Sequence, residues 1–102
     1  MEIVAQLKNN VLYIWLTGEI DEHSAALSRR KADKIAEETV CESVVFDLGG
    51  VSFMDSTGIG FLIGRYKKIQ RLGVAAYITN PSVATDRILT MSGVYALMPK
   101  RQ

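Results

Sequence analysis

Apolar residues along this chain come in short runs, and the spacing inside each run names its element. Ile3, Ala5 and Leu7 alternate with Val4, Gln6 and Lys8, the pattern of a half-exposed strand at a sheet edge. Asn9–Asn10 follows, and Asn tolerates the positive φ of a tight hairpin. Val11–Leu16, VLYIWL, is apolar throughout. It fits a strand covered on both faces, or an inner strand with one aromatic facing a groove. Thr17–Gly18–Glu19–Ile20–Asp21 breaks that run. Asp21 can cap a helix from about Glu22 to Glu38, and Glu22 adds negative charge to its first turn. The apolar face of that helix is weak: Ala25, Leu27, Ala32, Ile35 and Ala36. Arg29, Arg30, Lys31 and Lys34 fit a solvated face.

The densest pattern is Val44–Gly64, VVFDLGGVSFMDSTGIGFLIG. Val44–Leu48 reads as a buried strand, Gly49–Gly50 as a turn and Val51–Met54 as a second apolar burst. A second helix should run from Ser56 to about Leu72, with Ile59, Leu62, Ile63, Tyr66 and Ile69 at helical spacing. Arg65, Lys67, Lys68 and Arg71 fall in its C-terminal half, where cations are favoured, and Gly73 suits the position just past its end. Val74–Ile78 is a further apolar strand. Asn80 as cap and Pro81 as first residue open a third helix whose inner side is Val83, Ala84, Ile88 and Met91. Gly93 ends it, and Val94–Met98 reads as a last short strand. The order is ββαβαβαβ. Helices between successive strands imply parallel neighbours and right-handed crossovers. The expectation is an α/β domain: a mixed sheet of about five strands, an N-terminal antiparallel hairpin and three or more packed helices.

Composition narrows the uses of such a domain. With 102 residues, the chain suits one domain over 1–102. Twelve Lys and Arg face eleven acidic residues, so no basic excess points to nucleic acid or a membrane surface. The single Cys41 forms no internal disulfide, and one Cys with one His is too little for a zinc site. Cys41 fits a small, partly buried filler in a reducing, cytoplasmic setting. MEIVAQLKNN lacks the basic start and apolar core of a signal peptide. No apolar run approaches the ~18 residues of a membrane span.

Three catalytic or ligand-binding readings of the central stretch each meet an obstacle. Gly58, Gly60 and Gly64 resemble a dinucleotide loop between strand and helix. Asp55 would repel a pyrophosphate there, and Thr79 and Asn80 stand where a ribose-binding acid is wanted. The plainer reading is that the glycines let the helix pack closely on the sheet. Asp55–Ser56–Thr57–Gly58 is out of step with the aspartic-protease motif and has no second carboxylate loop. A Ser56, His23, Asp21 hydrolase lacks the Gly-x-Ser-x-Gly elbow around its serine. Two readings of Ser56 remain open on the residues alone. It caps the helix, the stronger of the two, or it receives a phosphate at an exposed helix start, where the added charge is tolerated.

At these residues the sequence resembles the STAS family, specifically its anti-sigma factor antagonists of the sporulation type. LTGEIDEHSA (Leu16–Ala25), the stretch Val45–Tyr66 with FMDSTGIGFLIGRYK at its centre, and Met91–Ser92–Gly93–Val94 carry the match, in order and spacing over nearly the whole chain. The resemblance implies the STAS fold and a phosphorylation switch with no catalysis, no cofactor and no metal. The unphosphorylated protein would bind an anti-sigma factor that is itself a serine kinase and free a sigma factor. The kinase would phosphorylate Ser56, and a PPM-type serine phosphatase would reverse it. The implied partner surface is Gly18, Asp21, Glu22, Asp55, Ser56, Thr57, Gly58 and Ile59, with Asp21 the acid of the first loop. A sensor or scaffold module of a stress-signalling complex is the second reading. A small nucleotide-binding protein is the third.

Overall fold

The computed structural model describes residues 1–20 and 22–101. Four strands form one sheet in the order β1-β2-β3-β4. Strand β1 (Glu2–Lys8) and β2 (Val11–Glu19) make the expected antiparallel hairpin, and Asn9 and Asn10 turn it with φ of 51° and 65°. Both values lie in the left-handed region that a two-residue hairpin turn requires. Strands β3 (Ser43–Phe53) and β4 (Ala75–Thr79) add in parallel. Helices α1 (Glu22–Glu38) and α2 (Ser56–Arg71) make the crossovers. Helices α3 (Val83–Ser92) and α4 (Val94–Leu97) follow β4.

The apolar runs divide their residues between two faces. In β2, Leu12, Ile14 and Leu16 enter the core with Val44, Phe46 and Leu48 of β3, while Tyr13 and Trp15 stack at 5.7 Å on the opposite face. Neither option for Val11–Leu16 holds as stated: one face is core, and the other carries two half-buried aromatics, Tyr13 and Trp15, rather than a single one. Helix α1 reaches the core through Ala25, Ser28, Ala32 and Ala36. Leu27, expected inside, is 68% exposed because Ser28 occupies the inward position beside it. Small residues let α1 lie close to the sheet. Cys41 is half-buried, and burial pushes its thiol above the usual range.

Three expectations need correction. The pair Gly49–Gly50 is no turn: β3 runs straight through it to Phe53. A Cβ on Gly50 would stand 3.0 Å from Thr17 Oγ1 and 3.1 Å from the Leu16 carbonyl, so the glycine admits the irregular pairing of β2 and β3 here. Second, Val94–Met98 is not a strand. Gly93 turns the chain with φ 82°, and Met98 N–H donates to the Val94 carbonyl, closing a helical turn. Val94 and Met98 are both fully buried at a spacing of four, the helical period, in a run too apolar for spacing alone to decide. The sheet thus has four strands rather than about five. A remnant of a fifth survives as a single bridge, where Ile78 N–H donates to Pro99 O and Arg101 N–H donates to Ile78 O. Third, Asn80 does not cap α3. It takes φ 62°, and Ser82 is the cap, its Oγ accepting from Thr85 N–H at 3.1 Å. That later start turns Thr85 and Leu89 inward. Val83 and Met91, expected inside, are 79% and 81% exposed.

Candidate functional site

Strand register brings the two loops of interest together. Parallel pairing of β2 and β3 ends at Glu19 opposite Phe53, so the β2–α1 and β3–α2 connections leave the same sheet end. Carboxyl ends of adjacent parallel strands are the usual location for sites in such sheets. Gly18, with φ 95°, and Glu22 flank the first connection. Asp21, the acid expected there, lies outside the described residues.

The second connection is built around Asp55. Its backbone is extended, and its Oδ1 accepts from Thr57 N–H at 2.9 Å. Asp55 is therefore the N-cap of α2, and its carbonyl accepts from Ile59 N–H. Helix capping, the stronger reading of Ser56 from residues alone, is not its role. Ser56 is the first helical residue, exposed, and its hydroxyl makes no hydrogen bond among the described residues. A carboxylate cap satisfies an orphan N–H and suits the positive end of the helix dipole. It leaves the neighbouring hydroxyl unengaged.

Ser56 and Thr57 face different neighbourhoods. Thr57 borders a polar cleft with Glu22, Arg29 and Phe61, between the first turns of α1 and α2. Ser56 borders an apolar groove with Asp55, Met54, Ile59, Ile88 and Met91, between α2 and α3. Among the described residues, the expected surface is split in two, with Glu22 and Thr57 on one side and Asp55, Ser56 and Ile59 on the other. Gly58 is buried. A Cβ on it would come within 2.5 Å of Met54 Cγ. Gly60 and Gly64 have open space where a Cβ would sit, so the close-packing reading of the glycines holds at Gly58 alone.

Three residues carry more than sequence reading assigned. Ile88 and Met91 border Ser56 instead of filling the core; Ser82–x–x–Thr85, a serine cap three residues before its N–H donor, was the signal. Arg65, read from the sequence as one of the cations in the C-terminal half of α2, is 6% exposed. Its Nε lies 2.7 Å from Asp33 Oδ1 in an ion pair between α2 and α1, and its guanidinium lies 5.2 Å above the Phe61 ring. Burial pushes the guanidinium below its ordinary pKa, and Asp33 opposes that shift. Among the described residues, no three His, Cys, Asp or Glu side chains gather around a possible metal position. His23, the base of the hydrolase reading, is exposed on the first turn of α1.

The STAS domain model matches residues 2–101. The chain belongs to the STAS family. It is 33% identical over 99 residues to the anti-sigma F factor antagonist of Paenibacillus polymyxa, covering 97% of this chain and 85% of that one. Over 96 residues it is 31% identical to the anti-sigma-B factor antagonist of Bacillus subtilis, covering 92% and 86%. Among solved structures, the anti-sigma factor antagonist SpoIIAA in its unphosphorylated form superposes with a TM-score of 0.80 at 22% identity, over 99% of this chain and 89% of that one. The phosphorylated form of Bacillus SpoIIAA, at 22% identity, superposes at 0.72 over 99% and 92%. The family settles the fold.

Proposed function

We propose that this STAS domain is an anti-sigma factor antagonist switched by phosphorylation of Ser56. Unphosphorylated, it binds an anti-sigma factor serine kinase and frees a sporulation-type sigma factor. The kinase transfers the γ-phosphoryl of ATP to Ser56 Oγ, the hydroxyl proton departs, and ADP and the phosphoprotein separate from the complex. A PPM-type serine phosphatase removes the phosphate and resets the switch. The chain acts in the cytoplasm and performs no catalysis of its own.

One observation carries this reading: Asp55 takes the capping role, so the exposed Ser56 hydroxyl is unengaged at the helix start. Backbone N–H groups of the first helical turn favour an anion at that point, so the fold accepts the product. The names of the Paenibacillus and Bacillus relatives supply the class of partner. Gly18, Asp21, Glu22, Thr57 and Ile59 complete the docking surface, with Gly58 shaping it from below. Incubation with the kinase and ATP should add one phosphate by intact mass, and fragment masses should place it on Ser56. Ser56→Ala should remain unmodified. Phosphate on Thr57 in wild type, or on Ser56→Ala at the wild-type rate, would defeat the assignment.

A further inference from the structure

The groove on the Ser56 side of α2 is apolar and open. Met54 forms its floor, 2% exposed, and Ile59 and Ile88 form its half-buried walls. Met91 stands on its rim at 81% exposure. Its volume is about 480 Å³. No lysine or arginine lines it, and its charged member is the Asp55 carboxylate. Apart from the helix start at Ser56, such a site suits aliphatic or aromatic side chains. Methionine, unbranched and polarisable, adapts to whatever apolar group enters.

Resting on the Ser56 reading, we propose that this groove receives apolar side chains of the same anti-sigma factor kinase that phosphorylates Ser56. Ser56 is itself part of the groove wall. A kinase that brings ATP to Ser56 Oγ must cover the surface immediately beside it, which is this groove. The same geometry explains how one phosphate dissolves the complex. A group carrying about −1.5 to −2 charges on the groove wall holds water where the partner's apolar side chains would sit. Release thus comes from hydration of an apolar socket, with no change of fold and no repulsion by acidic neighbours required.

The test compares Met91→Lys, Met91→Glu and Met91→Ser with wild type for affinity to the purified kinase, with ADP replacing ATP so that no transfer occurs. Met91 is largely exposed, so all three variants should melt as wild type does. The proposal expects both charged variants to bind at least tenfold more weakly, by similar factors, and Met91→Ser to lie between them and wild type. Wild-type affinity in both charged variants would overturn it, as would weakening by Glu alone, which marks simple charge repulsion. Loss of self-association in Met91→Lys with unchanged kinase affinity would assign the groove to a second copy of this chain, and also overturns it. The underlying reading has its own check. If Ser56→Ala resists phosphorylation while the Met91 variants bind normally, the groove proposal alone falls.

Discussion

Asp55 combines two roles that a pair of substitutions can separate. Its Oδ1 accepts from Thr57 N–H at 2.9 Å, and its charge sits at the positive end of a sixteen-residue helix. Asp55→Asn keeps an oxygen acceptor and removes the charge. Asp55→Ala removes both. Loss of an N-cap costs about 0.5–2 kcal/mol, and Asp55 is exposed, so no packing is lost with it. The dipole contribution at an exposed site is about 0.3–1 kcal/mol at low salt. Asp55→Ala should therefore lose about 1–2 kcal/mol by urea denaturation. A domain of this size loses about 4–8 °C in melting temperature for each kcal/mol. Asp55→Asn should lose less than half as much, and its deficit should shrink in high salt, where the charge is screened. On the proposed function, phosphorylation by the kinase should follow a different ordering. If the Asp55 carboxylate belongs to the docking surface, both variants should be phosphorylated more slowly, although only one is appreciably less stable. An Asn variant as unstable as Ala would refute the capping argument. An Ala variant as stable as wild type would do the same.

Three further predictions test the packing that supports the site. Gly58→Ala places a Cβ within 2.5 Å of Met54 Cγ and should destabilise by roughly 1–3 kcal/mol, whereas Gly60→Ala meets nothing within 4 Å and should stabilise by about 0.5–1 kcal/mol; chemical denaturation of the two variants gives opposite signs if the register of α2 is right. Asp33→Ala strands the buried Arg65 charge and should cost roughly 2–3 kcal/mol, below the ~3–5 kcal/mol of a fully buried pair because water reaches Asp33; Asp33→Ala combined with Arg65→Met should recover most of that in the same denaturation assay, and failure to recover would show that the pair's charge is not at issue. Tyr95, whose hydroxyl donates to Asp86 Oδ1, is held neutral well above the usual tyrosine range, by burial first and by that hydrogen bond second. Its folded pKa is raised, so its contribution is whole below the unfolded value near ~10 and is lost as pH rises toward the folded value. Wild type should lose stability above that point more steeply than Tyr95→Phe, and equal slopes in alkaline melting curves would contradict the assignment.

Legibility in the sequence followed how each signal is generated. The hairpin was plain because Asn9–Asn10 is a local backbone requirement and Ile3–Ala5–Leu7 a local alternation. Helix α2 was plain because sixteen residues give the helical period room to show. Val94–Met98 was not, since five consecutive apolar residues fit strand and helix spacing equally, and the Gly93 turn and the Met98 N–H to Val94 carbonyl bond decide between them. The pair Gly49–Gly50 misled for a related reason. Glycine marks turns and close approaches alike, and here the second use wins through contact with Thr17, thirty-three positions away in the chain. Arg65 reads only as one of the cations near the C-terminus of α2 until Asp33 and Phe61 are seen beside it. The STAS resemblance supplied the fold and singled out Ser56. Only the structure could show that the neighbouring Asp55 serves as the cap.

That substitution of caps changes how the proposed Ser56 switch would work in physical terms. A serine whose hydroxyl capped the helix would have to break that bond on phosphorylation, and helix stability would then be coupled to the signal. With Asp55 as cap, the Thr57 N–H remains satisfied whether or not Ser56 carries phosphate. The helix start offers the new anion a favourable dipole, while Asp55 next to it offers an unfavourable charge. These opposing terms are each of order 1 kcal/mol or less at an exposed site, so they leave the fold's stability nearly unchanged. What phosphate on Ser56 would change, on the proposed function, is the character of one wall of the groove formed with Met54, Ile59, Ile88 and Met91. Each ~1.4 kcal/mol lost there is tenfold in affinity. The burial of even one or two aliphatic groups, about 0.8 kcal/mol per CH₂, is enough to decide between bound and free. A rigid domain with a fixed cap can therefore report its modification state through its surface alone.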